Sequence, residues 1–291
     1  MPYLTKKNYK LAPVLIFAHR RPRHLRKVLD ALARDELANR SSVKIFIDGP
    51  NNLIEAFQTY WTYLEARKNR PFHKLQIIKR KNNYGLAKSI VTGVRQTLCN
   101  HEKVIVLEDD TVPLKGFLEY MNTALVKYEK DQRIFQISGF CPFAEIKAKR
   151  VQFSRLTTSW GWGTWKRAWK NLKMKIKIPK EFEKKKYSFD FDNSYPFFSL
   201  LKDAALGRSQ SWAIRWYFTC FRLKGRVVYP PTSFIKNIGF DGTGEHSKKT
   251  QLIKKNAIPV CVKKLTWPCQ IHCKKNTQIK IKKFLRDLQI N

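Results

Sequence analysis

The first half of the chain alternates short apolar runs with longer segments of helical periodicity. The apolar runs have strand length, and turn-forming or charged residues stop them, as Gly49 and Pro50 do. Such alternation is typical of an α/β fold with a mainly parallel central sheet that helices flank on both faces. The predicted strands are 13–19, 43–50, 74–80, 103–110 and 133–140.

Polar side chains follow three of these predicted strands. His19 and Arg20 follow the first, Asp48 lies near the end of the second, and the triplet 108–110 ends the fourth. Ligands of open α/β sheets bind beyond the carboxyl ends of the strands. The sequence therefore predicts a ligand site along this edge of the sheet.

The triplet Glu108, Asp109 and Asp110 ends the apolar run "KVIVLEDD". Three adjacent carboxylates repel one another unless a cation lies among them. Carboxylate oxygens suit hard divalent ions, and Mn²⁺ or Mg²⁺ held by one or two carboxylates commonly completes its shell with substrate phosphates. The alternative is an acidic turn that favours the start of the next helix.

The charge of the chain is its most unusual bulk property. The 291 residues carry 58 Lys and Arg against 22 Asp and Glu, a formal net charge of +36. Such a chain is attracted to polyanions, which include nucleic acid, an anionic membrane surface and phosphorylated substrates. Its length allows one large α/β domain, or one domain with an appendage.

The C-terminal segment concentrates this charge. Residues 248–291 hold twelve Lys or Arg and one acid, Asp287. Ile281, Phe284, Leu285 and Leu288 recur there at helical spacing, as in a helix that lies on an anionic membrane. The alternative is a short helix packed on the domain. We see no signal peptide and no run of membrane-spanning length, so we expect a cytoplasmic protein, peripheral on the inner face of the cell membrane.

Three cysteines near the C-terminus leave a zinc site open. Cys261, Cys269 and Cys273 cluster with His272. The paired C-x2-C spacing of many structural zinc sites is absent, so three unrelated thiols are the simpler interpretation.

The ordered segments "PVLIFAHRRP", "IFIDGP", "NNYGLAKSI", "VIVLEDDTVP", "ISGF", "SWGWGTWKRAW", "WAIRWY" and "NIGFDGTGEH" resemble a known family. They resemble metal-dependent glycosyltransferases of the GT-A fold, in particular bacterial sugar transferases related to N-acetylglucosaminyltransferase I. The match covers about 13–246. It implies a donor half at about 1–140, an acceptor half at about 141–250, and a basic extension at 251–291.

The resemblance also implies an activity. A sugar would move from a nucleoside diphosphate, by implication uridine diphosphate, to a glycan or a lipid-linked glycan with inversion. Asp110 would bind Mn²⁺ or Mg²⁺, and His246 would contact the metal or a phosphate. Glu108 and Asp109 would lie near the ribose and the sugar. The other residues that it places around the nucleotide sugar are Ala18, His19, Arg20, Asp48, Asn83, Gly85 and Lys88.

The acceptor side is less clear from the sequence. Trp160 and Trp162 belong to a segment rich in tryptophan and glycine, which suits either a core or a surface that stacks on sugars. An inverting enzyme needs a carboxylate base. The family's base lies near "GRSQSWAIRW", which has no acid here. The remaining candidates for the base are Asp192, Asp203 and Asp241.

Two other functions remain as alternatives. A nucleic-acid-binding protein would use the positive charge and stacking tryptophans, but no helix-turn-helix, zinc-finger or RNA-recognition signature is found. A sugar nucleotidyltransferase would be expected to carry glycines in its N-terminal loop, and "FAHRRPRH" has none.

Overall fold

Eight strands form the central sheet of the computed structural model, which describes residues 10–143, 149–240 and 261–290. Their order across the sheet is β3-β2-β1-β4-β8-β6-β9-β7, and β5 and β10 form a separate antiparallel pair. The strands are β1 (Val14–Ala18), β2 (Ser42–Ile47), β3 (Lys74–Lys79), β4 (Lys103–Glu108), β5 (Thr111–Pro113), β6 (Ile134–Ser138), β7 (Gln152–Ser154), β8 (Trp162–Trp165), β9 (Arg226–Tyr229) and β10 (Ile235–Asn237).

Helices cover both faces of this sheet. They are α1 (Pro22–Ala33), α2 (Leu53–Arg67), α3 (Gly85–Leu98), α4 (Phe117–Lys127), α5 (Lys166–Trp169), α6 (Lys186–Phe189), α7 (Phe197–Ala205), α8 (Trp212–Arg222) and α9 (Lys275–Ile290). The predicted fold class, an α/β fold with a mainly parallel central sheet flanked by helices, is confirmed.

The first four strands of the chain that enter the large sheet are parallel neighbours. β1 pairs with β2 on one side and with β4 on the other, and β2 pairs with β3. β8 runs antiparallel between β4 and β6. Chain order therefore reverses direction across the sheet between β1 and β4, which is where open α/β sheets place their ligands.

The C-terminal helix α9 packs on the domain. Ile281 and Leu285 are buried in an aromatic-rich core to which α7 and α8 contribute, and Phe284 and Leu288 pack against the same core. The prediction that this stripe lies on a membrane is therefore wrong for α9, because the domain already covers it. The boundary predicted at 250 falls outside the described residues.

Candidate functional site

A cleft of about 330 Å³ opens at the carboxyl ends of β1 and β4. It brings together ten of the residues that the sequence singles out. They are Ala18, His19, Arg20, Asp48, Asn83, Gly85, Glu108, Asp109, Asp110 and Trp160. The predicted edge of the sheet is therefore a single concave site.

Arg21 is the cation that lies among the carboxylates. Its guanidinium donates hydrogen bonds to Asp109 and, over 3.0 Å, to Oδ2 of Asp110. Pro22 begins α1 and leaves Arg21 in the position just before the helix, at the end of β1. Burial lowers the pKa of Arg21, but the two aspartates outweigh it and raise the pKa above its ordinary value. Arg21 is therefore a fixed positive charge in the cleft.

Glu108 is the least compensated of the three acids. Its carboxylate accepts no hydrogen bond from the residues that the structure describes, and it lines the cleft. Burial, followed by the charges of Asp110 and Asp109, raises the pKa of Glu108 well above its usual range, and Arg21 offsets only part of this. Three carboxylates thus share the single positive charge of Arg21. The remaining negative charge favours the binding of a further cation.

The opposite wall of the cleft comes from the end of β10. The backbone N–H of Ile238 donates to the backbone oxygen of Asp110 over 2.9 Å, and Oδ1 of Asn237 accepts from the N–H of Gly239 over 2.7 Å. The Cβ of any larger residue at Gly239 would press on the Asp110 carboxylate, which would have to move. The hydrogen bonds from Arg21 to its carboxylate and from Ile238 to its backbone oxygen together hold Asp110 in place.

Asp48 holds the loop that follows β3. Its Oδ1 accepts hydrogen bonds from the backbone N–H groups of Gly49 and Tyr84, at 3.1 and 2.9 Å. Nδ2 of Asn83 donates to the carbonyl oxygen of Gly49 over 2.9 Å, and that oxygen lies 3.0 Å from Nε2 of His19. The side chains predicted to contact the nucleotide therefore also organise their own loops.

Arg20 and Lys88 differ in their relation to the cleft. Arg20 lines it while donating to Oε1 of Glu55 over 2.7 Å, which ties the cleft to the start of α2. Lys88 is not among the lining residues, and its Nζ lies 4.4 Å from the ring centre of Tyr84. The predicted donor contact of Lys88 is not supported by its position.

The two tryptophans of "WGW" face opposite ways. Gly161 between them has a φ of +61°, and a side chain there would collide with Ile235. Trp162 is fully buried, with its ring centre 5.0 Å from that of Trp212. Its predicted role in stacking on a sugar is therefore wrong. Trp160 is partly exposed and lines the cleft.

A second concavity adjoins the cleft, and Trp160 lines both. This apolar groove has a volume of about 250 Å³. Helices α7, α8 and α9 supply most of its walls. The side chains that they contribute include Phe197, Leu200, Trp212, Trp216, Phe284 and Leu288. The stripe of α9 thus serves as one wall of a groove beside the predicted donor site.

Two predicted bases lie away from both concavities. Asp192 has a left-handed backbone, with a φ of +57°, and pairs with Lys282 of α9. Asp203 is on α7, where its Oδ1 lies 3.8 Å from Nη1 of Arg208. Neither lines the cleft or the groove, so their positions do not support either as the base. Asp241 and His246 lie outside the described residues.

The cysteine cluster does not assemble in the described part of the chain. Cys261 and Cys269 are exposed and Cys273 is half-buried. No three His, Cys, Asp or Glu side chains in residues 10–143, 149–240 and 261–290 are arranged as a ready-made metal cage. Nor does any described helix combine the length and apolarity that a bilayer span requires.

Several cleft residues were missed by the sequence reasoning. Arg21, Leu86 and Ser89 line the cleft, as do Asn237, Gly239 and Phe240. Arg21 directly follows the predicted site residue Arg20. Its position just before Pro22, the first residue of α1, was the sequence signal that could have placed it at the end of β1. Asn237, Gly239 and Phe240 belong to the segment "NIGFDGTGEH", from which the resemblance already placed His246 at the metal or a phosphate.

Comparison with known proteins gives distant structural similarity. No family model matches the sequence, and neither does any curated protein. Solved structures similar to this chain include the mannosyltransferase PcManGT from Pyrobaculum calidifontis in complex with GDP-Man and Mn²⁺. It has a TM-score of 0.38 and 13% identity, over 75% of this chain and 78% of that one.

A second similar structure is TarS 1-349 from S. aureus. It has a TM-score of 0.43 and 11% identity, over 77% of this chain and 59% of that one. The chain therefore matches less than two thirds of that structure. Similarity at this level says nothing about substrate or activity, and the relation to N-acetylglucosaminyltransferase I stays a prediction.

Proposed function

We propose that the chain is a glycosyltransferase that moves a sugar from a nucleoside diphosphate to a glycan or lipid-linked glycan acceptor. One observation carries this proposal. Three carboxylates and one arginine converge at the point between β1 and β4 where the sheet order reverses. An anionic cluster that still favours a cation is suited to a metal-bridged diphosphate.

The donor would lie along the cleft. Its nucleobase would face Asp48, Asn83 and His19, which line the cleft, and uridine diphosphate is the proposed carrier. Asp109 and Glu108 would lie near the ribose and the sugar. Trp160 would meet the sugar where the cleft and the apolar groove join, and the acceptor would enter from the groove.

A divalent ion fits the residues that are present. Asp110 would hold it, because its carboxylate lines the cleft, and the neighbouring Glu108, which accepts no hydrogen bond from the described residues, adds negative charge that favours a cation. No three-ligand cage is needed, since Mg²⁺ and Mn²⁺ commonly take one or two carboxylates and complete their shell with water and phosphates. When bound, the ion would supply Lewis-acid neutralisation of the departing diphosphate.

The chain's own groups would do the remaining work. Arg21 orients Asp109 and Asp110 and is a preorganised positive charge beside the position where the diphosphate gains charge. The proposed inverting reaction also needs a carboxylate that takes the acceptor proton. Asp241 is the remaining candidate of the three, because it directly follows Phe240, which lines the cleft.

Asp110→Asn tests the proposal, with Asp203→Asn as the matched control outside the cleft. Each protein is incubated with Mn²⁺ and a panel of nucleotide sugars, and the released nucleoside diphosphate is measured. We expect Asp110→Asn to reduce the rate by roughly 100-fold or more, as removal of transition-state stabilisation does, and the control to be unaffected. Calorimetry with uridine diphosphate and Mn²⁺ tests the donor separately.

Three results would contradict the proposal in different ways. Full activity in EDTA would exclude the metal. Equal affinity for all nucleoside diphosphates would remove base recognition by Asp48. Tight, salt-sensitive binding of oligonucleotides without any turnover would favour the nucleic-acid alternative.

A further inference from the structure

Helix α2 carries its apolar side chains on the outside. Five large apolar residues of this 15-residue helix face solvent rather than the domain. They are Leu53 (81% exposed), Ile54 (73%), Phe57 (69%), Tyr60 (49%) and Trp61 (59%). Leu53, Phe57 and Trp61 are spaced four residues apart, so they form one stripe along the helix.

The face that α2 turns to the domain is mostly polar. Glu55, Thr59, Thr62 and Glu65 are buried there, together with Ala66. Surface helices ordinarily bury their apolar side. The reversed arrangement in α2 leaves a contiguous apolar patch without a partner in the described structure, and patches of this kind mark interaction surfaces.

Ion pairs fix this orientation of the helix. Glu65 accepts hydrogen bonds from Arg26 and Lys68, at 2.9 and 2.8 Å, and from Arg70, at 2.7 Å. Glu55 accepts from Arg20 at 2.7 Å. Rotating α2 to bury its apolar stripe would expose or break these pairs, so the stripe stays outside.

The charges around the patch are positive. Both acids of α2 are buried, and the exposed charged residue within the helix is Arg67, with Lys68 following it. Nζ of Lys79, on the neighbouring strand β3, lies 5.9 Å from the ring centre of Tyr60. The whole chain carries +36. A partner for this surface is therefore anionic as well as apolar.

We propose that the exposed face of α2 docks the protein on an anionic lipid bilayer. Leu53, Phe57 and Trp61 enter the interfacial region of the bilayer, which favours aromatic side chains such as tryptophan. Arg67 and Lys79 contact the lipid headgroups. α2 is about 22 Å long at 1.5 Å per residue, enough to lie along a membrane surface. The contact with lipid moves from α9, where the sequence predicts it, to α2.

This docking would bring the cleft close to the membrane. Glu55 lies in the first turn of α2 and pairs with Arg20, which lines the cleft. A lipid-linked molecule could then reach the site without leaving the bilayer. The membrane inference does not depend on the proposed function, since it rests on α2 alone.

Vesicle sedimentation tests the inference with the full-length protein. Binding is measured to vesicles with about 30% phosphatidylglycerol in phosphatidylcholine and to vesicles of pure phosphatidylcholine. The double variant Phe57→Ser, Trp61→Ser is compared with Leu206→Ser, Leu223→Ser, which changes two exposed leucines elsewhere. We expect the α2 variant to bind roughly tenfold or more weakly and the control to bind as the parent does.

Trp61→Phe gives an independent readout that keeps the surface apolar. Brominated lipid should quench part of the parent's fluorescence, and that part should vanish in Trp61→Phe while binding persists. The inference would be overturned if the Phe57→Ser, Trp61→Ser variant bound vesicles as tightly as the parent. It would also be overturned if Trp61→Phe showed the same quenching as the parent. A dimer that this variant dissociates, with no lipid binding by the parent, would instead assign the face to a second copy.

Discussion

Helices α2 and α9 are of nearly equal length, 15 and 16 residues, and they use their apolar faces in opposite ways. The stripe of α9 is flanked by lysines in the sequence, yet Ile281 and Leu285 are buried in the domain. α2 carries two glutamates and is less basic, yet its apolar stripe is exposed. Periodicity locates an apolar face on a helix, whereas the neighbouring elements decide what covers it.

The reason for the difference lies in the partners of each helix. α9 packs against an aromatic-rich core to which α7 and α8 contribute, and Ile281 and Leu285 are part of it. α2 lies against α1 and the residues around both helices. Arg20 comes just before α1, Arg26 lies within it and Arg70 follows α2, and all three donate to Glu55 or Glu65. Burying Glu55 and Glu65 satisfies those arginines and leaves the apolar residues of α2 outside.

The largest expected effect distinguishes two isoleucines of α9. Ile281→Ala should lower the free energy of unfolding by about 3 kcal/mol, because it removes buried methylenes and leaves a cavity. Ile279→Ala, on a residue that is 54% exposed, should change it by less than about 0.5 kcal/mol. Urea unfolding measures both. If the two substitutions have equal, small effects, α9 does not pack on the domain in solution.

A medium effect is expected for the buried face of α2. Glu65→Gln should cost on the order of 2 kcal/mol near neutral pH, because Arg70 is buried and loses a charged partner. Thr59→Ser, on the same face, is the matched control. Urea unfolding at constant temperature gives the comparison, and an unchanged variant would mean that the ion pairs do not orient α2.

The pH dependence of this effect has a defined sign. Burial raises the pKa of Glu65, but hydrogen bonds from Lys68, Arg26 and Arg70 outweigh it and lower the pKa. A lowered carboxyl pKa gives stability that is complete above the ordinary glutamate value of about 4.3 and is lost as the pH falls through the folded value. The difference in unfolding free energy between the parent and Glu65→Gln should therefore shrink in acid.

The smallest expected effect is on the exposed face of α2. Phe57→Ala should change the free energy of unfolding by less than about 0.5 kcal/mol, since the side chain is mostly in solvent. Urea unfolding without lipid measures this. A loss of several kcal/mol would show that the apolar face is covered in the free protein, which would remove the basis for a membrane contact.

The sequence predicted the part of the site that strand order controls. Alternating segments place the ends of β1, β2 and β4 at one edge, so His19, Asp48 and Asp110 had to come together. Arg21 was missed because its contact with Asp110 joins residues far apart in the chain, and only the folded backbone brings them within hydrogen-bonding distance. Asp192 and Asp203 are candidate bases by residue type alone, and residue type does not determine where in the folded chain a carboxylate lies.

By itself, the sequence determined the fold class, the position of the acidic triplet and the existence of apolar faces on the helices, because periodicity and strand order are local properties. The tertiary structure alone decided that Trp162 is core and Trp160 is not, since the left-handed Gly161 turns them apart. It also decided which helix buries its stripe. Burial depends on the side chains that other segments present, and no local pattern contains that information.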